Sequence, residues 1–210
     1  MDMDKEKGLK EGRLLPLMED FYTIQGEGFH TGKPAYFVRI GGCDIGCSWC
    51  DTKLSWNALK FAAVPADDII QKILDKPAKA VVVTGGEPLM YPLDYFTSGL
   101  KKHGIETFLE TSGAYALSGQ WDWICLSPKQ NQHPLPEMFK KADELKVIIQ
   151  ADEDIDWAEI NAKKVHGNCY LFLQPEWSVS PKILPLIVDY VKRNPRWRVS
   201  VQAHKYMKIP

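Results

Sequence analysis

The stretch AYFVRIGGCDIGCSWC, residues 35–50, joins a strand-like segment to a cysteine-rich loop. AYFVRI is rich in aromatic and β-branched residues and is bounded by a proline and a glycine pair, which predicts a strand that ends at a turn. Cys43, Cys47 and Cys50 follow with C-x3-C-x2-C spacing. Three thiolates this close in sequence can hold one metal centre. The stretch therefore predicts a strand that carries a metal-binding loop at its carboxyl end.

Strand-like and helix-like segments alternate along the rest of the chain. The strand-like runs are 35–40, 80–86, 105–111, 121–127, 144–150, 168–174 and 197–204. Helical periodicity occurs in 66–76, 94–104, 154–165 and 180–194. This alternation predicts an α/β fold with a mostly parallel sheet. The chain has 210 residues, too few for a full eight-unit barrel of about 250 residues, so the sheet is expected to be open or curled into a partial barrel.

The bulk properties predict an ordinary soluble domain. Net charge is −1, with 45% apolar and 25% charged residues, so nothing points to nucleic acid or a membrane. The charged start, MDMDKEKGLKEG, predicts a frayed lead and no secretory signal. We expect residues 1–20 to form this lead and a first strand, and residues 21–210 to form the core domain.

The five cysteines do not suggest a disulfide framework. An odd number in a chain with no export signal is typical of a reducing compartment, so we expect a cytoplasmic protein. Cys125 and Cys169 lie in apolar runs and are predicted to be buried, without a metal role.

Polar or glycine-rich stretches follow four of the predicted strands directly. They are TGGEP (84–88), ETSG (110–113), SPK (127–129) and QPEW (174–177). In parallel α/β folds, ligands bind at the carboxyl ends of the strands. We therefore expect these stretches and the cysteine loop to surround one site.

Three interpretations of the cysteine loop compete. A structural zinc ion needs four ligands, and the fourth could be His30, His103 or a distant cysteine. A ferredoxin-like electron carrier needs four cysteines per cluster, and no fourth lies nearby. A 4Fe–4S cluster on three thiolates would leave one iron open to bind a small molecule.

The third interpretation is supported by a resemblance. CDIGCSWC resembles the C-x3-C-x-aromatic-C signature of the radical S-adenosylmethionine enzymes, and Gly85-Gly86-Glu87-Pro88 resembles their GGEP stretch. The resemblance implies a partial β/α barrel of the radical SAM type. It also implies a 4Fe–4S cluster on Cys43, Cys47 and Cys50, whose open iron chelates S-adenosylmethionine.

The block FYTIQGEGFHTGKPAYFVRIGGCDIGCSWCDT (21–52) narrows the resemblance to the 7-carboxy-7-deazaguanine synthase family of 7-deazapurine (queuosine) biosynthesis. That family has Gln-Gly-Glu-Gly, an arginine twelve residues past the glutamate, and Asp-Thr after the last cysteine. Glu27, Arg39 and Asp51-Thr52 match these places. The implied reaction contracts the ring of 6-carboxy-5,6,7,8-tetrahydropterin to 7-carboxy-7-deazaguanine, with loss of ammonia and with S-adenosylmethionine used catalytically.

The resemblance also implies roles for individual residues. Arg39 is suited to the substrate carboxylate, and Glu27 or Gln25 to the donors on the pterin edge. The other implied substrate contacts are Ile24, Gly26, Thr84, His204 and Pro210. S-adenosylmethionine would contact Gly86, Ser127, Pro128, Lys129 and Gln174. Thr52 matches a Mg²⁺ ligand. Pro210 is expected to reach the substrate through its carboxylate, so a C-terminal tag is expected to lower activity.

Departures and rivals remain at this point. Glu176-Trp177 stands where an aspartate-like residue is expected soon after Gln174-Pro175, which weakens the assignment of that loop. The nearest rival is an activase of a glycyl-radical enzyme, which shares the cysteine spacing but acts on a protein. A non-enzymatic zinc or iron–sulfur module would bind metal without cleaving S-adenosylmethionine. The resemblance further implies a homodimer and a flavodoxin or ferredoxin-type reductant.

Overall fold

The computed structural model describes residues 3–210, which form nine strands and seven α-helices. The strands are β1 (Leu14–Ile24), β2 (Pro34–Ile40), β3 (Ala63–Pro65), β4 (Ala80–Gly85), β5 (Glu106–Thr111), β6 (Trp123–Leu126), β7 (Glu144–Ile149), β8 (Tyr170–Pro175) and β9 (Trp197–Val199). The helices are α1 (Met3–Lys10), α2 (Ala66–Leu74), α3 (Asp94–Lys102), α4 (Pro136–Lys141), α5 (Asp154–Ala162), α6 (Ser180–Arg193) and α7 (Ala203–Met207).

All nine strands belong to one sheet, in the order β3-β1-β2-β4-β5-β6-β7-β8-β9. From β2 to β9 each neighbouring pair is parallel, whereas β1 runs antiparallel to both β2 and β3. Within the described residues, β3 and β9 are the two edges, so the sheet does not close. The prediction of a single-domain α/β fold with a partial barrel is confirmed.

The central strand β4 shows why the sheet is buried on both faces. Its sequence, AVVVTG, is a continuous apolar run, as expected for a parallel strand covered on both sides. Val81 and Val83 pack in the large cluster that includes the helices. Ala80 and Val82 belong to a separate cluster with Phe108. Successive side chains thus alternate between the helix layer and the concave face.

The helices cover the convex face through apolar stripes. On α2, Ile69, Ile70 and Ile73 are buried, at the spacing of one helix face. On α6, Ile183 and Ile187 do the same. Among residues 3–210, no helix combines the length and apolar character needed to cross a membrane.

Three local predictions were wrong. The expected frayed lead is helical from Met3 to Lys10, although residues 1–2 lie outside the described part. The first strand continues to Ile24, so the boundary expected at residue 20 falls inside it. The strand predicted for 197–204 ends at Val199, because Ser200 closes the ladder on Leu173 and α7 follows.

Candidate active site

A cavity of about 270 Å³ lies at the carboxyl ends of the parallel strands. The sequence-predicted residues that line it are Ile24, Gln25, Gly26, Glu27, Arg39, Cys43, Cys47, Cys50, Thr52, Thr84, Gly86, Ser127, Lys129, Gln174, His204 and Pro210. Pro128 is the one predicted residue that does not line it. The strand ends therefore meet as the sequence predicted.

The cysteine loop is fixed at both ends by hydrogen bonds. At its start, the Cys43 amide donates to the Trp56 carbonyl at 3.2 Å, and at its end the Cys50 amide donates to the Cys47 carbonyl at 3.1 Å. Asn131 Nδ2 donates to the carbonyl of Gly46 at 2.8 Å, and Gly46 has a positive φ of 69°. The loop is therefore held in a tight turn against the cavity.

The three thiols have the donor chemistry of an iron–sulfur site. Cys43, Cys47 and Cys50 are free and half-buried. Burial raises the pKa of Cys43 and of Cys47, and the neighbouring cysteines raise both further. A cationic iron centre would offset the repulsion between the thiolates and favour their ionised form. Across residues 3–210, no three Cys, His, Asp or Glu side chains converge on a single metal position. The donor set thus fits a three-thiolate cluster, although the thiols are not gathered at one point.

The GGEP turn is bonded to the start of the cysteine loop. The Gly86 amide donates to the Ile40 carbonyl at 2.9 Å, and the Glu87 amide donates to the Gly42 carbonyl at 2.8 Å. A Cβ on Gly86 would lie 2.2 Å from the Gly42 oxygen and 2.8 Å from Cys43 Cβ. Only glycine fits at this close approach.

Glu87 is buried and anchors the GGEP turn to the stretch after β5. Its carboxylate accepts bonds from Thr111 Oγ1 at 2.7 Å and from the Ser112 amide at 2.8 Å. Ser112 Oγ and the Leu89 amide also donate to it. The carboxylate is fully occupied by the protein, so it holds the wall of the cavity in place.

A buried lysine forms the centre of the opposite wall. Lys146 Nζ donates to Glu27 Oε2 at 2.7 Å and to Glu110 Oε2 at 2.8 Å. Gln202 Nε2 donates to the other Glu27 oxygen at 3.0 Å. Burial raises the pKa of Glu27, but the Lys146 ammonium and these hydrogen bonds outweigh it and lower the pKa to about 2. Glu27 is therefore an ionised acceptor.

Arg39 stands at the end of β2 and is oriented by a carboxylate. Its Nε donates to Glu19 Oε1 at 2.6 Å, and its side chain lines the cavity. Only the Nε–H is used in this ion pair, so the terminal N–H groups remain for an anionic ligand. Thr84 is paired with Arg39 in the adjacent strand, which places both side chains on the cavity face.

Ser127 and Lys129, which follow β6, and Gln174, near the end of β8, line another part of the cavity. Lys129 Nζ donates to Ser127 Oγ at 2.6 Å and lies 5.1 Å from the centre of the Trp49 ring. Burial lowers the pKa of Lys129. Gln174 Oε1 accepts from Ser200 Oγ at 2.6 Å. These side chains present polar groups beside the cysteine loop.

The C-terminal segment forms the remaining side of the cavity. The Ala203 amide donates to the Gly26 carbonyl at 2.9 Å, and a Cβ on Gly26 would lie 2.4 Å from His204 Nδ1. Thr23 Oγ1 donates to the Pro210 oxygen at 3.4 Å. Burial lowers the pKa of His204, which favours the neutral imidazole. The segment therefore packs directly on the Gln25–Glu27 loop.

Thr52 lies next to an acidic side chain at the cavity edge. Its Oγ1 donates to Asp51 Oδ1 at 3.0 Å, so the hydroxyl lone pairs remain available to a cation. Asp51 also accepts from Lys205 Nζ at 3.4 Å. This is the place that the sequence predicted for Mg²⁺.

Sequence reasoning missed Lys146, Glu110 and Gln202 as parts of the site. A signal for the first was present: in ELKVII, Glu144 and Lys146 alternate with buried apolar residues, which places both on one face of β7. Glu110 lies in the ETSG stretch, but nothing in that stretch assigns it a role. Gln202 had no signal, because its segment was predicted to be a strand. Cys125 and Cys169 are buried, as predicted.

The open parallel sheet, the three-cysteine loop and the GGEP turn define a radical SAM enzyme. The sequence profile of the Radical SAM superfamily matches residues 37–126, which span the cysteine loop and the strands from β4 to β6. Membership of this superfamily implies a 4Fe–4S cluster and S-adenosylmethionine.

More specific relatives cover almost the whole chain. The 7-carboxy-7-deazaguanine synthase of Flavobacterium psychrophilum is 54% identical and covers 96% of this chain and 96% of its own. That of Synechocystis sp. is 43% identical over 92% of this chain and 93% of its own. The crystal structure of QueE from Escherichia coli superimposes with a TM-score of 0.82 and 29% identity, covering 97% of this chain and 100% of that chain. The chain belongs to the 7-carboxy-7-deazaguanine synthase family.

Proposed function

We propose that this enzyme contracts the ring of 6-carboxy-5,6,7,8-tetrahydropterin to 7-carboxy-7-deazaguanine, with loss of ammonia. The observation that carries the proposal is one cavity that joins three cysteine thiols to an arginine and a pair of carboxylates. The relatives named above are synthases of this product. Their coverage of the chain makes the same activity the best match for the site.

The cavity wall offers one partner for each end of such a substrate. Arg39 has free terminal N–H groups for a carboxylate, because Glu19 occupies only its Nε. Glu27 and Glu110 are acceptors, which suit the row of N–H donors on the pyrimidinone edge. Two ends bound at once fix the ring in one orientation, which lowers the entropy cost of reaction.

Cys43, Cys47 and Cys50 would hold the cluster, and Gly86, Ser127, Lys129 and Gln174 would contact S-adenosylmethionine. The reduced cluster and S-adenosylmethionine, when bound there, would supply an adenosyl radical for hydrogen abstraction from the substrate. The chain itself binds and orients the pterin and excludes water. Catalytic use of S-adenosylmethionine is part of the proposal.

We also propose that Thr52 contributes one oxygen ligand to Mg²⁺, with the rest of its shell from water and substrate. The support is that the Thr52 proton is directed to Asp51, which leaves the hydroxyl lone pairs free. Replacing Thr52 by Val is expected to raise the Mg²⁺ concentration needed for half-maximal turnover. An unchanged Mg²⁺ dependence would remove this ligand assignment.

The partners follow the same family pattern. We propose a homodimer, a flavodoxin or ferredoxin-type electron donor, and a cytoplasmic location. The five unpaired cysteine thiols support a reducing compartment. Light scattering after size exclusion tests the dimer. Turnover driven by reduced flavodoxin, in place of dithionite, tests the donor.

An activase of a glycyl-radical enzyme is the rival function. Its substrate is a protein, so it needs no small cavity with an arginine at one end and carboxylates at the other. The enclosure of Arg39, Glu27 and Glu110 in one cavity therefore favours a small-molecule substrate.

The experiment is anaerobic turnover with reconstituted, reduced enzyme, S-adenosylmethionine, Mg²⁺ and 6-carboxytetrahydropterin. Mass spectrometry follows 7-carboxy-7-deazaguanine and 5′-deoxyadenosine, with product expected in many-fold excess. Arg39→Ala is expected to raise KM for this substrate roughly 10- to 100-fold, with a smaller effect on tetrahydropterin that lacks the carboxylate. Arg193→Ala, on the exposed end of α6, serves as the matched control. 5′-Deoxyadenosine without the deazaguanine would retain the radical chemistry and refute the substrate.

A further inference from the structure

The concave face of β7 carries two charged side chains in a strand that is otherwise apolar. Glu144 and Lys146 are both buried, and the Lys146 side chain is only 4% exposed. Burying an ammonium costs several kcal/mol unless it is paired. An interior strand of the sheet therefore keeps this lysine only with strong partners, and its position is well suited to organise the cavity wall.

Lys146 is shared between two carboxylates from different parts of the chain. Glu27 belongs to the loop after β1, and Glu110 belongs to the end of β5. Their oxygens lie 2.7 Å and 2.8 Å from Lys146 Nζ. Both carboxylates line the cavity, with side chains 18% and 20% exposed. One ammonium thus sets the positions of two acceptors relative to each other.

The second oxygen of each carboxylate, which does not contact Lys146, also accepts a hydrogen bond. Gln202 Nε2 donates to Glu27 Oε1 at 3.0 Å, and Gln25 Nε2 donates to Glu110 Oε1 at 3.4 Å. Without Lys146, two partly buried carboxylates would face each other with no cation between them. Like charges this close cannot both stay ionised, and the wall would lose one acceptor or splay apart.

Glu144 contacts the loop after β1 that carries Glu27. Its Oε2 accepts from the Phe29 amide at 3.1 Å and from Trp123 Nε1 at 3.2 Å. A Cβ on Gly28 would lie 2.0 Å from Glu144 Oε1, so the loop backbone rests directly on this carboxylate. The two charged residues of β7 thus hold the Glu27 loop at two successive points.

We propose that Lys146 is a positioning residue for the pterin ring, holding Glu27 and Glu110 side by side as acceptors so that the site selects a substrate edge rich in N–H donors. The inference rests on the proposed function. It predicts that Lys146 governs pterin affinity and discrimination between the 2-amino substrate and its 2-oxo analogue, in which a carbonyl replaces the amino donor.

The test compares Lys146→Met with the wild type at two levels. The first is equilibrium binding of 6-carboxypterin, a fluorescent oxidised analogue, to the reconstituted holoenzyme. The second is turnover, with KM and kcat measured separately for the substrate and for the 2-oxo analogue. Lys72→Met removes an exposed lysine that pairs with Asp20 and is the control. Iron and sulfide content and 5′-deoxyadenosine formation without pterin report an intact cluster site.

We expect Lys146→Met to raise the Kd and KM for the pterin roughly 10- to 100-fold, the range for lost hydrogen bonds between charged groups. We expect Lys72→Met to behave as the wild type. The 2-oxo analogue should be affected less than the substrate, so that discrimination falls. Lys146→Arg should recover part of the lost affinity, because it restores a cation.

A double-mutant cycle with Glu27→Gln separates positioning from general destabilisation. The double variant has one buried charge fewer than Lys146→Met alone, which favours folding. If Lys146 acts by positioning the two carboxylates, its replacement in the Glu27→Gln background should raise the Kd by a clearly smaller factor than in the wild type, because only Glu110 then still depends on it. Equal increases in Kd in the two backgrounds, an unchanged Kd, or equal losses for the substrate and its 2-oxo analogue would overturn the inference. Should the wild type fail to convert the pterin, the proposed function fails, and the binding experiment still decides the role of Lys146.

Discussion

Replacing Gly86 by alanine is expected to displace the cysteine loop. The new Cβ would lie 2.2 Å from the Gly42 carbonyl oxygen, 2.7 Å from its carbon and 2.8 Å from Cys43 Cβ. Real Cβ contacts below 3.0 Å are essentially never found. Two of the three atoms belong to the backbone of Gly42, so no side-chain rotation can relieve the contact.

The magnitude follows from what must move. The GGEP turn is tied to the start of the cysteine loop by the Gly86 amide on Ile40 and by the Glu87 amide on Gly42. Pushing the turn away strains both bonds. Overpacking of this kind costs about 2–3 kcal/mol in free energy of unfolding, which lowers the Tm of a chain this long by roughly 4–12 °C. Because Cys43 is displaced as well, we expect iron content and 5′-deoxyadenosine formation to fall together.

Thermal unfolding and iron stoichiometry after anaerobic reconstitution measure these effects. Gly167→Ala is the matched control, because a Cβ there meets no atom within 4 Å; its effect is expected to stay within about 0.5 kcal/mol. If Gly86→Ala unfolds at the same temperature as Gly167→Ala and binds as much iron, the close approach of turn and loop does not constrain the cluster site, and the reasoning is refuted.

Three further outcomes are expected. Cys125→Ala should bind as much iron as the wild type, since Cys125 is buried outside the cysteine loop; a loss of iron would make it a ligand. Burial raises the pKa of Glu159, but hydrogen bonds from Tyr190 and Trp197 and the charge of Arg196 lower it below its usual value of 4.5. The ionised form of Glu159 therefore stabilises the fold above that value, and this stabilisation is lost as pH falls. Between about pH 5 and pH 3, the free energy of unfolding of Glu159→Gln should fall less steeply than that of the wild type. Equal pH dependence of the two proteins would contradict this. Gly26→Ala places a Cβ 2.4 Å from His204 Nδ1, so the KM for the pterin should rise about 10-fold. Formation of 5′-deoxyadenosine without pterin should stay unchanged. If that reaction is impaired as strongly as pterin turnover, the effect is not local.

The sequence predicted the parallel core because its local signals agree with its tertiary surroundings. AVVVTG is apolar at every position that the sheet buries, and it ends in glycines where the chain turns. The cysteine spacing and GGEP are short motifs whose chemistry depends on residues close in sequence. For these features the local pattern carries most of the information.

The secondary structure of the terminal segments was harder to predict, because it depends on contacts with distant parts of the chain. WRVSVQAH has β-forming residues, yet its strand stops at Val199, where Ser200 Oγ donates to Gln174 and the chain crosses to Gly26. At the other end, α1 has no buried residue, so no apolar stripe signals a helix there.

The cluster of Lys146, Glu27 and Glu110 could not be predicted from the sequence for a related reason. Lys146 in an apolar run indicates an inward charge, but only the fold shows that Glu27 and Glu110 reach it. Partners so far apart along the chain leave no periodic pattern. Prediction of such a cluster requires the register of the strands, which residue spacing alone does not supply.

The distances along the chain between contacting residues predict which part of the site folds first. The contacts that join Lys146 to Glu27 and Gln202 to Glu27 span 119 and 175 residues, whereas the three cysteines lie within eight residues. Closing long loops is slow, and such contacts form only once most of the chain has collapsed. The cysteine loop is therefore expected to take its shape earlier in folding than the cavity wall around Lys146.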